Sequence, residues 1–155
     1  MLSGDARPER LRNLCRQTPA PGVVAYVSKV PAGWCAVSPR EAYERLNRSR
    51  TIQRLDDLPV WSIVCLVVRS GFRQQGVGSA LIKGAVDFAF SQGAPAVEAY
   101  PIDAQGSRVN ASLAFTGTTK MFLAAGFSHC AETEAKSAGA PRVIMRRSMA
   151  EPSDA

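Results

Sequence analysis

The run Val60–Val68, VWSIVCLVV, constrains the fold more than any other stretch of this chain. One polar side chain, Ser62, interrupts it, and it is too short to cross a membrane as a helix. An apolar run of that length bounded by turn residues reads as a central strand buried on both faces. It runs into the turn Arg69-Ser70-Gly71-Phe72 and then into Arg73-Gln74-Gln75-Gly76-Val77-Gly78, which opens a helix over Gly76–Ser91. Ser79, Lys83, Asp87 and Ser91 recur every fourth residue as one wet stripe, and Leu81, Ile82, Ala85, Val86, Phe88 and Ala89 cover the rest. Gln92-Gly93-Ala94-Pro95 ends it. A strand dry on both faces needs layers above and below, so a strand–turn–helix of this kind implies an α/β domain.

The flanking sequence supplies the neighbours. Asp5–Gln17 reads as a helix capped by Asp5, with Leu11, Leu14 and Cys15 on one face, and Pro19–Gly22 stops it. Val23–Val27 and Ala32–Val37 form a hairpin around Lys29-Val30-Pro31. Ser38-Pro39-Arg40-Glu41 has the form of a capping box opening a short helix through Leu46. Beyond the long helix come a buried strand over Ala96–Pro101, a polar loop over Ile102–Ser112, and a helix over Gly117–Ala125 closed by Gly126. Two last strands lie near Phe127–Thr133 and Pro141–Arg147. One domain over residues 1–150, with a frayed tail over 151–155, accounts for the chain of 155 residues.

Composition narrows the function. Apolar residues are 46% and charged residues 21%, which excludes a disordered or collagen-like chain. Asp5, Arg7, Glu9, Arg10 and Arg12 leave no secretory core at the start, and no span for a membrane is expected. Cys15, Cys35, Cys65 and Cys130 lie far apart among apolar neighbours, as reduced thiols of a cytoplasmic protein would. No metal site is expected, since His129 is the only histidine. The net charge of +6 favours an anionic partner. The basic residues are scattered without interleaved aromatics, so nucleic acid is disfavoured and most arginines read as a solvated face.

The loop before the long helix is suited to a phosphate. The first N–H groups of a helix lack internal partners and carry partial positive charge, glycines at 76 and 78 let an anion approach the backbone, and Arg73 adds a full charge. The plainer alternative is that Gly76 serves the turn and Gly78 the packing of helix on strand. A Walker loop is excluded because no Gly-Lys-Ser/Thr follows. A Rossmann site is disfavoured because two strands and two helices precede the motif, and its third glycine is missing.

The segment SIVCLVVRSGFRQQGVGSALIKGAVDFAFSQGA resembles the central motif of the GNAT superfamily of N-acetyltransferases. Arg73, Gly76 and Gly78 meet its loop pattern Arg/Gln-x-x-Gly-x-Gly/Ala. KMFLAAGF, residues 120–127, resembles the family's closing helix and Gly-Phe corner, and VEAYPID and GWCAVSPR resemble a bacterial branch. The resemblance implies a mixed, mostly antiparallel sheet flanked by helices, with acetyl-CoA as co-substrate. It implies that Leu66, Val67 and Val68 pair with the pantetheine as an added strand, and that Arg73, Gln74, Gln75, Gly76, Val77, Gly78 and Ser79 hold the pyrophosphate. The central strand and the Val97–Tyr100 strand would splay to admit the thioester, and a small-molecule or peptide amine would attack it directly, with a backbone N–H near Val67 facing the oxyanion.

Three departures stand out. Phe122 occupies the position of the family's usual tyrosine acid, and Phe115 that of its usual asparagine. A strand and helix usually precede the segment matching Asp5–Gln17, so the first strand here would be a bare edge, coverable by a second copy in a homodimer. Glu98, the lone charge in an apolar strand, is the candidate general base, against the alternative of a structural carboxylate paired with an arginine. Tyr100 on the same face could orient the amine or replace the missing acid, against a packing role. Asp103 is a further carboxylate beyond the strand. Cys65, Trp34, Trp61 and His129 read as packing or surface residues, and Arg40 as a solvated helix start. The rival to amine acetylation is an acyl-CoA-binding domain without efficient transfer.

Overall fold

The apolar run becomes the strand around which everything else is laid out. In the computed structural model, which describes residues 12–104 and 116–149, Trp61–Val68 is β3 of a six-stranded open sheet. The other strands are β1 (Gly22–Val27), β2 (Val30–Pro39), β4 (Ala96–Ala99), β5 (Ser128–Ser137) and β6 (Ala140–Ser148), ordered β1-β2-β3-β4-β6-β5. Only β3 and β4 run parallel, because the 15-residue helix α3 (Val77–Ser91) crosses over between them. Every other pairing is antiparallel. The result is a single α/β domain with a mostly antiparallel sheet.

Residues 12–15 form α1, which is exposed throughout, so the apolar face expected of Leu14 and Cys15 is not buried; Asp5 and the start of that segment lie outside the described residues. The first hairpin turns at Ser28 and Lys29, both with positive φ, one step before the Lys29–Pro31 position read from sequence. The capping box does not form: β2 runs on to Pro39, Arg40–Ala42 is a 3₁₀ turn without a side-chain cap, and α2 covers only Glu44–Asn47. α4 (Thr119–Ala124) lies within the expected helix, and β5 and β6 run longer than expected. The loop beyond residue 104, Phe115 and the tail from Glu151 lie outside the described residues.

One face of the sheet packs on α3 through Val37, Trp61, Ile63, Leu66, Val97 and Ala99. The wet stripe of α3 is exposed as its spacing requires. The opposite face carries a smaller cluster of Ile52, Tyr100 and Ile144, covered by the segment between β2 and β3.

Candidate active site

The two parallel strands part at one point. Trp61 pairs with Val97, Ser62 with Glu98 and Ile63 with Ala99, and there the pairing stops. Beyond Ala99 the chain stays with β6, since the Val143 amide donates to the Pro101 carbonyl at 3.1 Å and Ile102 bridges Arg142. β3 instead continues beside β2 to Val68. Val64 is a bulge, because Ile63 opposes Val37 while Cys65 already opposes Ala36. The extra residue shifts the alternation by one, so Ile63 and Leu66 both face α3 and Val64 joins the cluster on the far side. From Val64 to Val68 the β4 side of β3 has no strand partner among the described residues, and Val67 is 43% exposed. Unpaired backbone groups beside a gap are what an extended polar ligand requires.

That open edge leads into the start of α3. Gly71, Gln74 and Gly76 hold positive φ of 91°, 60° and 76°, and the first bond of the helix runs from the Ala80 amide to the Gly76 carbonyl at 3.0 Å. No side chain caps this end, and its first turn holds no acidic residue. The N–H groups of Val77, Gly78 and Ser79 therefore have no helical partner. Gln75 Nε2 donates to the Gly71 carbonyl at 3.1 Å, and Arg69 donates to the Pro31 carbonyl at 2.8 Å while stacking on Phe72, so the loop is braced. Arg73 and Ser79 are exposed at the rim. A Cβ at Gly71 or Gly76 would meet nothing within 4 Å, whereas one at Gly78 would lie 3.0 Å from Met121 Cε. Gly76 thus serves its left-handed turn, as the plainer reading has it, whereas the close neighbour of Gly78 is Met121 of α4, with the strand's Val68 Cγ2 4.0 Å away. The room and the free N–H groups for an anion are present as well.

On the far face, Glu98 and Tyr100 come together, but in a closed network. Glu98 is 2% exposed, and Arg146 donates from Nε and Nη2 to its Oε2 at 2.9 and 2.6 Å. Tyr100 Oη donates to Oε1 at 3.1 Å and lies 2.8 Å from Ser62 Oγ. Arg146 also makes a two-pronged pair with Asp56 at 2.8 and 3.0 Å. Hydrogen bonding to Asp56 pushes the Arg146 pKa up, and Arg146 holds the Asp56 carboxyl below its ordinary range. Burial, with the Glu98 charge beside it, pushes the Tyr100 phenol well above its ordinary value. Glu98 therefore takes the form of the structural alternative, a buried carboxylate with an arginine.

Sequence reasoning missed Arg146 and Asp56. The available signal was Glu98 itself, since a charge in a dry strand demands a counter-charge; only the β4–β6 register, Glu98 opposite Arg146, says which. Arg40 corrects the solvated-start reading: it is 3% exposed, donates to the Ile52 carbonyl at 3.0 Å and sits over the Tyr100 ring. Phe122 is wholly buried edge-on to Phe127, with 5.0 Å between ring centroids. Trp61 packs on Phe88 in the core, and His129 is a surface residue 3.2 Å from Glu132. All four cysteines are free thiols: Cys35 is buried, Cys65 half-buried, and Cys15 and Cys130 are exposed.

Residues 2–111 match the family model described as Acetyltransferase (GNAT) family. With that share of its length matched, the chain belongs to the GNAT acetyltransferase family. Its fold is that of solved acetyltransferases. A ribosomal-protein-alanine N-acetyltransferase from Brucella melitensis superposes with a TM-score of 0.62 at 17% identity, over 96% of this chain and 80% of its own. Ard1 from Thermoplasma volcanium gives 0.58 at 21% identity, over 90% and 78%. The NatC complex bound to Gag peptide and CoA gives 0.59 at 12% identity, over 92% and 79%. No curated protein sequence matches.

Proposed function

We propose that the chain transfers an acetyl group from acetyl-CoA to a primary amine of a small molecule or peptide by direct attack. The observation that carries this reading is the unpaired edge Val64–Val68 running straight into an uncapped helix start. Leu66, Val67 and Val68 would pair with the pantetheine, and the loop and helix start, Arg73 to Ser79, would hold the pyrophosphate. The co-substrate supplies an activated acetyl thioester. The protein contributes orientation in the gap between β3 and β4, and a backbone N–H near Val67 toward the developing oxyanion. The closed state of Glu98 favours a positioning role for it: with Tyr100 it fixes β4 against β6 where the gap begins, and the amine loses its proton to water. Position 122 offers no proton to the departing thiolate, which favours slow turnover and keeps acyl-CoA binding without efficient transfer as the second reading. The free thiols suit a cytoplasmic setting, and the uncharged outer edge of β1, with Tyr26 64% exposed, suits pairing with a second copy. Nucleic acid has no part in the reading.

Thermal unfolding with and without acetyl-CoA tests it. At about a hundred times its dissociation constant the ligand adds about 2.7 kcal/mol, a rise of about 8 °C for a domain of this size. No rise at millimolar acetyl-CoA removes the reading. A rise without acetylation of any amine in a broad screen leaves the binding-only alternative.

A further inference from the structure

Arg40 is a buried cation whose hydrogen bonding is incomplete. It is 3% exposed, and its amide donates to the Val60 carbonyl at 3.0 Å, which ties the 3₁₀ turn to the start of β3. Nη2 donates to the Ile52 carbonyl at 3.0 Å, whereas Nε and Nη1 are buried without a hydrogen-bond partner. The two carboxylates of the neighbouring network, Glu98 and Asp56, are both held by Arg146. Neither Arg40 nor Arg142 forms a salt bridge among the described residues. A buried guanidinium with no ion-pair partner and unsatisfied N–H groups is costly, and an orphan donor of this kind in a folded protein requires a reason.

Its place in the fold supplies one. Tyr100 follows Ala99, the last residue of β4 paired with β3, and Val64 follows Ile63 on β3. Tyr100 and Val64 belong to one cluster with Ile52 on the far face of the sheet. Arg40 meets that cluster twice, at the Ile52 carbonyl and over the Tyr100 ring, 5.9 Å from its centroid. Arg142 reaches the same place from β6, its Nε donating to the Tyr100 carbonyl at 2.9 Å. Burial lowers the Arg142 pKa, and no carboxylate offsets it. Two unpaired arginines therefore gather at the inner end of the β3–β4 gap. The loop proposed for the pyrophosphate, Arg73 to Ser79, lies at the outer end, past Val68. The length of the open edge separates the two, so an anion at Arg40 comes from the second substrate.

Resting on the acetyl-transfer reading, we propose that Arg40 determines acceptor specificity by binding a carboxylate, so that the amine acetylated belongs to the amino-acid class. A guanidinium keeps its charge when buried and suits a planar carboxylate, which gives the orphan N–H groups the acceptors they lack. Arg142 adds positive charge beside it. Polyamines are repelled by the same two arginines and are poor acceptors.

The Arg40 Nε–H resonance of the isotope-labelled full chain, assigned by through-bond correlation and checked by its loss in Arg40→Lys, reports on the site without turnover. Sodium propionate at tens of millimolar should shift it. Propionamide, and sodium chloride at equal ionic strength, should leave it in place. A signal indifferent to propionate, or one that moves equally with sodium chloride, overturns the proposal. A stronger response to methylphosphonate overturns the carboxylate assignment. In the amine screen, acceptors bearing a carboxylate should be preferred over their amides by at least about tenfold in kcat/KM, and Arg40→Met should remove that preference through KM. Turnover that favours amides or polyamines in the native chain overturns the proposal as well. The acetyl-CoA thermal shift on the same samples separates the two claims. A shift without a propionate response removes the arginine site and leaves the acetyl-transfer reading; a propionate response without a shift does the reverse.

Discussion

The two halves of β3 have the same apolar character and opposite fates. Trp61–Ile63 is paired on both sides and dry, and beside it lies a buried chain of polar groups from Ser62 through Tyr100 and Glu98 to Arg146 and Asp56. Val64–Val68 is paired on one side only and ends at a helix start with no cap. A single bulged residue, Val64, separates them. The contrast separates two treatments of polar groups. Along the closed half the groups from Ser62 to Asp56 are satisfied within the protein, although Nε and Nη1 of the buried Arg40 beside them have no partner; along the open half, unpartnered N–H groups are kept for something outside it.

The largest effect should come from breaking the closed half. Glu98→Ala leaves Arg146 without its buried partner and should cost about 3–5 kcal/mol, a fall of about 10 °C in the unfolding midpoint. A fall under about 2 °C would mean that the network is not dry and that the halves do not differ as described.

Next comes the open half, where stability and binding should move in opposite directions. Ser79→Glu places a carboxylate in the first turn of α3, which favours the helix by about 0.3–1 kcal/mol, yet it should abolish the acetyl-CoA shift by repelling the pyrophosphate. A variant that is less stable, or that keeps the shift, breaks the comparison at this end.

A smaller effect concerns acid. The folded-state pKa of Asp56 is depressed by Arg146, so its contribution is present above the unfolded value of 3.8 and is lost as pH falls through the folded one. Asp56→Asn should therefore be less stable than the native chain at neutral pH and converge with it once pH falls below the depressed folded-state value. Parallel curves down to pH 2 would show that the pair contributes nothing.

The smallest effect is a rate order among thiols. Burial pushes Cys35 up to about 12 and raises Cys65 less, while Cys15 and Cys130 are exposed. A thiol reagent near pH 8 should label the exposed pair first, Cys65 next, and Cys35 only on unfolding. Bound acetyl-CoA should slow Cys65 alone, because that residue lies on the open half. Early labelling of Cys35 would place β2 outside the closed region.

Local pattern was enough for the elements that position the candidate site. The dry run of β3, the four-residue stripe of α3 and the glycines between them are written in consecutive residues, because periodicity and turn chemistry act over a few positions. The class of fold and the anion-ready loop could be read from them. What was misread depended on neighbours distant in sequence. The capping box at Ser38 gave way because β2 runs on to Pro39, pairing with Trp61. Arg40 reads as a solvated start until the 50–60 segment folds over it.

The roles of the charged residues were likewise decided only by tertiary structure. Glu98 stands out in sequence as one charge among apolar neighbours, and nothing near it says whether it meets water, substrate or arginine. The answer came from β6, some fifty positions away, whose register sets Arg146 opposite it. Sequence determined the fold class and the helix start facing the gap, because hydrophobic period and backbone freedom are local properties. Tertiary structure decided which charges are partnered, because electrostatic pairing depends on distance in space and not along the chain.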